Sequence, residues 1–222
     1  MDALIDNFDL WVEGFQKTLW LLLFGGIIAL VLGTLLAAMR VSPIALMRGA
    51  GGLYVNLVRN TPLLLILFIF RDAFPQLGFA PEINNEFNFF FVAATLGLGL
   101  YAASFVCEVL RSGVNSIPLG QAEAARSIGM TFFQSMQHVI LPQAFRAVVP
   151  PMANVYIALA KNTSVAIAIG TTEAAFQMKK VLNNNASDRW WVFFGFAAGY
   201  ILIVWAIASV AHVIERRWAV SR

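Results

Sequence analysis

Three stretches of this chain run for at least 21 residues without a charged side chain: Thr18 to Met39, Phe87 to Cys107 and Trp190 to Ile214. An α-helix rises about 1.5 Å per residue, so each run reaches across a hydrocarbon layer of about 30 Å. With 59% hydrophobic and only 12% charged residues, against about 25% charged in soluble domains, the chain is an all-α integral membrane protein. The first run is preceded by Asp2, Asp6, Asp9 and Glu13, whereas a signal peptide opens with basic residues, so this helix is expected to stay in the mature protein. Five or six spans would use nearly all of the 222 residues, so residues 1–222 are expected to form a single membrane domain without room among them for a soluble catalytic domain.

Two further apolar stretches are interrupted. Between Met47 and Phe70 the pattern is broken by Asn56 and by Arg59, Asn60, Thr61 and Pro62. Proline lacks a backbone donor and disfavours helix at the residue before it, which predicts a kinked helix. Between Val139 and Gly170 stand Arg146, the pair Pro150 and Pro151, and the polar run Lys161, Asn162, Thr163, Ser164, which predicts a helix followed by a shorter one. About five spans result.

An odd number of spans puts the termini on opposite sides. Arg40, Arg48, Arg59, Arg111, Arg126, Arg146, Arg216, Arg217 and Arg222 fall on one side, and Lys17, Arg71, Lys161, Lys179, Lys180 and Arg189 on the other. The positive-inside bias then predicts the amino terminus outside, the carboxyl terminus in the cytoplasm, and residues 118–142 in a cytoplasmic loop. The net charge of +3 is read as topology rather than as a nucleic-acid site. A lone Cys107, with His138 and His212 far apart, excludes a disulfide framework and gives no local metal motif, so neither a metal site nor catalytic residues are expected.

Within 118–142, Pro118 and Gly129 bracket a short helix carrying Gln121, Ala122, Glu123, Ala124, Ala125 and Arg126, in which Glu123 and Arg126 can pair at i,i+3. Phe132, Phe133 and Met136 follow, and Pro142 precedes the next span. By pattern alone this is either a helix lying on the membrane surface or one shaped for a partner. The spacing of Glu123, Ala124, Ala125, Gly129, Leu141 and Pro142 resembles the EAA motif of ABC importer permeases, with Val139 where that motif has isoleucine. Six fixed residues at fixed spacing arise by chance on the order of once in ten thousand such chains.

Val58 to Leu64, including Arg59, Asn60, Thr61 and Pro62, is similar to a second stretch of the polar amino-acid permeases of that class, and Lys161, Asn162, Thr163, Ser164 to a third. The resemblance implies a MetI-like transmembrane domain of an ABC importer. Its implied partners are separate ATPase subunits that bind ATP and Mg, a second permease chain (identical or homologous), an extracytoplasmic solute-binding protein and an amino-acid substrate in the inner membrane. It also implies that the loop helix around Glu123, with Ala124, Ala125, Arg126 and Gly129, docks on the ATPase. The chain itself has no phosphate-binding loop of the G-x-x-x-x-G-K-[ST] kind and is expected to hold no cofactor.

Polar groups at membrane depth mark a substrate path. Asn162, Thr163 and Ser164 are placed to open the short helix Val165 to Gly170, where free N–H groups and the helix dipole would take an amino-acid carboxylate; the alternative is a helix merely capped at the interface. Arg59, Arg146 and Lys161 are the charges in or beside broken spans, whereas Glu108 and Glu173 fall near span ends. That balance favours glutamate or glutamine over a basic amino acid, although Arg59 also fits a headgroup anchor. Gly97, Gly99, Ala102 and Ala103 predict close helix contact, within the subunit or across a dimer. The phenylalanines at 87, 89, 90 and 91 are read as lipid-facing or packing groups. A transporter or channel working without an ATPase would instead call for a buried ion-coupling carboxylate and an inverted repeat, and neither is evident in the sequence.

Overall fold

A computed structural model describes residues 2–79 and 87–218; Glu86 and Arg222 of the sequence reading lie outside them. Among the described residues the regular structure is helical. The chain opens with α1 (Asp2–Asp6), α2 (Phe8–Val41), α3 (Ala45–Asn60) and α4 (Leu63–Gln76). It continues with α5 (Phe89–Asn115), α6 (Leu119–Ser127) and α7 (Phe132–Ser135). A π-helical segment, Met136–Ile140, leads into α8 (Leu141–Asn162), which passes into a 3-10 segment, Thr163–Ile169. After α9 (Ala174–Asn184) the chain ends in α10 (Arg189–Trp218).

Four helical stretches are long and apolar enough to span a membrane, and α3 with α4 makes a fifth, bent by 101°. The bend has a local cause. Pro62 holds Thr61 in extended backbone (φ −92, ψ 128), and Thr61 Oγ1 donates to the carbonyl of Leu57, 2.8 Å away. The second interruption behaves differently from expectation: Pro150 and Pro151 lie inside a continuous α8, and the chain turns only at Gly170, whose φ of +91 suits glycine.

The core forms where α2 and α5 cross. Gly25 and Gly99 bring the two backbones together, and a Cβ on Gly33 would lie 2.6 Å from Val106 Cβ and 2.9 Å from the carbonyl of Ala103. The small-residue stripe of α5 is therefore used inside the subunit, against α2 and, at Gly97, against Leu67 of α4. Phe89 and Phe91 join the buried core while Phe90 faces outward, so the phenylalanine run is mainly a packing element. Replacing Gly33 by leucine is expected to separate α2 from α5 and to cost about 1–3 kcal/mol or more. Gly49→Ala, which meets open space, should be neutral or slightly stabilising; thermal unfolding in detergent separates the two.

Candidate functional site: an exposed connecting helix and an intramembrane groove

The α6 helix stands out because it is short, apart from the bundle and tightly terminated. Pro118 enters it with φ −55 and ψ 135. At its end Gly129, at φ +87, lets its N–H bond the carbonyl of Arg126 (2.9 Å) while the N–H of Met130 bonds that of Ala125 (3.1 Å). This paired closure is the Schellman arrangement, and its left-handed residue is glycine for lack of a Cβ. Thr131 then opens α7 with a reciprocal cap: its hydroxyl accepts from the N–H of Gln134, whose side chain accepts from the N–H of Thr131. Both borders of the turn are thus fixed by hydrogen bonds.

Only Ala125 of α6 is buried, at 3% exposure. Glu123, Ala124 and Arg126 are exposed. No ion pair joins Glu123 to Arg126 among the described residues, so the i,i+3 pairing allowed by the sequence is not made. Leu119 and Ile128, 80% and 74% exposed, and Phe133, 81% exposed, add apolar side chains to the same end of the molecule. Leu141 and Pro142 do not join this surface. They start α8 at the far end of the π-helical segment, and Leu141 lines an apolar cavity of about 370 Å³ with Met136 and Ala144.

The residues read as a substrate site are divided by the structure. The helix start predicted at Asn162 to Ser164 is absent, because α8 runs into the 3-10 segment without a break and the N–H of Thr163 bonds the carbonyl of Leu159. Thr163 Oγ1 donates to the carbonyl of Ala160 and Ser164 Oγ to that of Lys161, both at 2.7 Å. These hydroxyls serve their own helix, and no free helix N-terminus is offered to an anion there. The polar run lacks a proline or glycine to stop the helix before Gly170. Lys161 is exposed. Asn162 lines a cavity of about 340 Å³ between α5 and α8, shared with Tyr101, Phe105 and Asn154.

Arg59 belongs to a charged cluster that sequence reasoning missed. Glu108 of α5 is bonded by Arg40 from α2 and by Arg111 one turn on (3.0 Å), and Arg59 Nη1 approaches it to 3.4 Å. Arg59 also lies over the ring of Phe105, 5.4 Å from its centre. A headgroup anchor would point away from the bundle, whereas Arg59 faces into it. The i,i+3 spacing of Glu108 and Arg111 was visible in the sequence; the arrival of Arg40 and Arg59 depends on the α3 crossing, which was not.

A bundle of helices long and apolar enough to span a membrane, with a short exposed helix between two of them, defines a multi-pass membrane protein. Residues 29–220 match the family described as binding-protein-dependent transport system inner membrane component, and the chain belongs to that family as a multi-pass inner-membrane protein. Among its relatives, the glutamate transport system permease protein GluC of Corynebacterium efficiens is 42% identical, over 95% of each chain. The glutamate/aspartate import permease protein GltJ of Escherichia coli is 35% identical over 93% of this chain and 87% of its own. In fold the chain is similar to the crystal structure of an amino acid ABC transporter with histidines, at a TM-score of 0.85 and 26% identity, with 97% of each chain covered.

Proposed function

We propose that this chain is the permease subunit of an ATP-driven ABC importer that carries a polar amino acid, with glutamate or glutamine favoured, across the cytoplasmic membrane by alternating access. The observation that carries the reading is α6: an exposed helix closed at Gly129 and followed by a capping box, holding the EAA-like residues Glu123 and Ala124 toward solvent while Ala125 is buried beneath them. A helix held by such closures transmits a push on its face to the spans on either side. In this reading α6 lies in the cytoplasm, the amino terminus is outside, and Glu123 and Arg126 meet the ATPase. Leu141 and Pro142 fix the base of α8, which receives the motion.

The remaining partners are a second permease chain, identical or homologous, two ATPase subunits that hold ATP and Mg, and an extracytoplasmic solute-binding protein. The substrate preference is supported by the relatives named for glutamate and by a groove whose charges, Arg59, Arg111 and Glu108, sum to positive. Asn162 lines a separate cavity between α5 and α8; Lys161, Thr163 and Ser164 take supporting positions beside Asn162 rather than ligand positions.

Co-purification with a candidate ABC ATPase subunit, followed by reconstitution with a candidate solute-binding protein, tests the reading. Uptake of labelled glutamate or glutamine is expected to require ATP and the complete complex, and to exceed that of arginine or histidine. Uptake by this chain alone in liposomes would overturn the proposal in favour of an ATPase-independent transporter or channel.

A further inference from the structure

The helices α2 and α8 meet at one point and part from there toward α6. At the meeting point Tyr156 of α8 donates its hydroxyl to the carbonyl of Gly26 in α2, 3.0 Å away, and a Cβ on Gly26 would lie 2.8 Å from the Tyr156 ring. Nearer α6 the two helices leave the apolar cavity of about 370 Å³ between them, with Ala37 and Ala38 on the α2 wall, Ala144 and Phe145 on the α8 wall and Leu110 of α5 behind. Protein interiors are close-packed, so a gap of this size beside the tight α2–α5 crossing sets α8 apart from that pair. Among the described residues that line it, Thr34 alone offers water a polar side chain.

The part of α8 that borders the gap is loosely tied at each of its joints. Where it crosses α5 it rests on Gly113: a Cβ there would lie 2.2 Å from Val148 Cγ1, so the contact is bare backbone with no interlocking side chain. Within α8, Pro150 and Pro151 have no N–H for the carbonyls of Arg146 and Ala147, and two successive rungs of the helix are missing. At its start Pro142 likewise has none for the carbonyl of His138, and its ring crowds that carbonyl. The chain widens there into the π-helical turn Met136–Ile140, in which the N–H of Leu141 reaches back to the carbonyl of Met136. The carbonyl of Val139 takes the side-chain amide of Gln143 at 2.8 Å. Such turns are uncommon and gather at functional positions. The hydroxyl oxygen of Ser135, just before the turn, is buried without a hydrogen-bond partner, and α6 packs directly on the turn.

From these joints we infer that residues 141–151 of α8 form a swinging arm. The Tyr156–Gly26 contact is its pivot, Gly113 its bearing and the π-helical turn its flexible base, and a push on α6 drives it across the gap toward Ala37 and Ala38. From Tyr156 to Leu141 the arm is about 22 Å long, so a tilt of about 10° carries Leu141 by roughly 4 Å. A movement of that size is a small shear of packed helices. The other side of the arm carries Ala147, which lines the cavity beside Arg59 and Glu108, so that cavity widens as the gap narrows. The inference deepens the permease reading above, on which the push rests, by naming the part that moves.

Cavity filling tests the arm in the full complex in liposomes. Ala38→Phe puts a ring into the gap from an exposed position of α2; it is expected to lower ATP-driven amino-acid uptake roughly tenfold or more, with assembly and unfolding temperature unchanged. Adding Phe145→Ala removes a ring from the facing wall and should restore most of the lost uptake. Leu35→Phe, which adds bulk to an exposed position of α2 outside the gap, should transport normally. Wild-type uptake by Ala38→Phe, a loss that Phe145→Ala does not relieve, or an equal loss in Leu35→Phe would each overturn the arm. Movement is read separately by Ala38→Cys with Phe145→Cys in a Cys107→Ala chain, where the disulfide should form faster with ATP in the absence of Mg than without nucleotide. An equal rate in the two states, or no disulfide in either because a lipid chain fills the gap, overturns the inference as well. All of these outcomes leave the permease reading standing, whereas a wild-type complex that imports no amino acid overturns that reading and leaves the cysteine pair to decide the arm.

Discussion

Reversing the charge of Glu123 by substitution with arginine is expected to reduce ATP-driven uptake by about a hundredfold or more while leaving the amount of protein in the membrane unchanged. The side chain is exposed and unpaired with Arg126, so its loss removes little that holds the subunit together. Truncating one partner of a desolvated charge pair at an interface typically costs about 2–5 kcal/mol, and reversal adds repulsion; at 1.4 kcal/mol per factor of ten, that range covers the expected loss. Arg126→Ala provides the contrast. If Glu123 served only to stabilise its own helix through Arg126, both substitutions would weaken transport alike; if Glu123 docks, Glu123→Arg alone should release the ATPase on size-exclusion chromatography. Gly129→Val should also silence transport, since a β-branched residue at φ +87 is strained by about 1–3 kcal/mol and breaks the closure that orients α6. Normal uptake by both Glu123→Arg and Gly129→Val would refute the coupling role.

That α6 was legible from sequence follows from its chemistry being local: proline before, glycine after, and a motif within one continuous stretch. The three charge-free runs were equally direct, because span length is counted along the chain, and they appear in α2, α5 and α10. The groove was harder to read. Asn162 and Arg59 were picked out as polar groups at depth, and each does line a cavity, but the helix-start geometry assigned to Asn162 to Ser164 depended on where α8 ends. Helix prolines and serine or threonine hydroxyls bonded to their own carbonyls leave that end undetermined in sequence. Glu108 and Glu173 were read as span-end residues because their partners Arg40, Arg59 and Tyr200 come from elements between 27 and 68 residues away in sequence, and no pattern within a window carries such a contact.

Glu173 makes the strongest demand on the fold of the described residues. It is fully buried and begins α9 by accepting from the N–H of Phe176 through Oε1 (3.0 Å) and from that of Ala175 through Oε2 (2.8 Å). Tyr200 of α10 donates its hydroxyl to the same Oε2 at 2.7 Å. The next N–H, that of Ala174, is taken by Thr18 Oγ1 of α2 at 3.2 Å, where Gly14 allows close approach to Ala174. One carboxylate therefore closes the start of α9 and ties it to α10, while Thr18 and Gly14 tie it to α2. Glu173→Ala would leave two N–H groups and a phenol without acceptors in a buried site, an expected loss of about 3–5 kcal/mol. For a chain of this length that corresponds to a fall of roughly 10 °C in unfolding temperature. Glu173→Gln should cost less, about 1–3 kcal/mol, because the amide keeps one acceptor but turns a second donor toward groups that already donate. Tyr200→Phe removes one of those donors and should recover part of the Gln loss, so the two substitutions should be non-additive. Cys107, the single cysteine and fully buried, supplies the readout: a thiol-reactive dye reports unfolding of the detergent-solubilised protein as temperature rises. Additive effects of Glu173→Gln and Tyr200→Phe, or an unchanged unfolding temperature in Glu173→Ala, would show that this carboxylate does not hold α9 to the bundle.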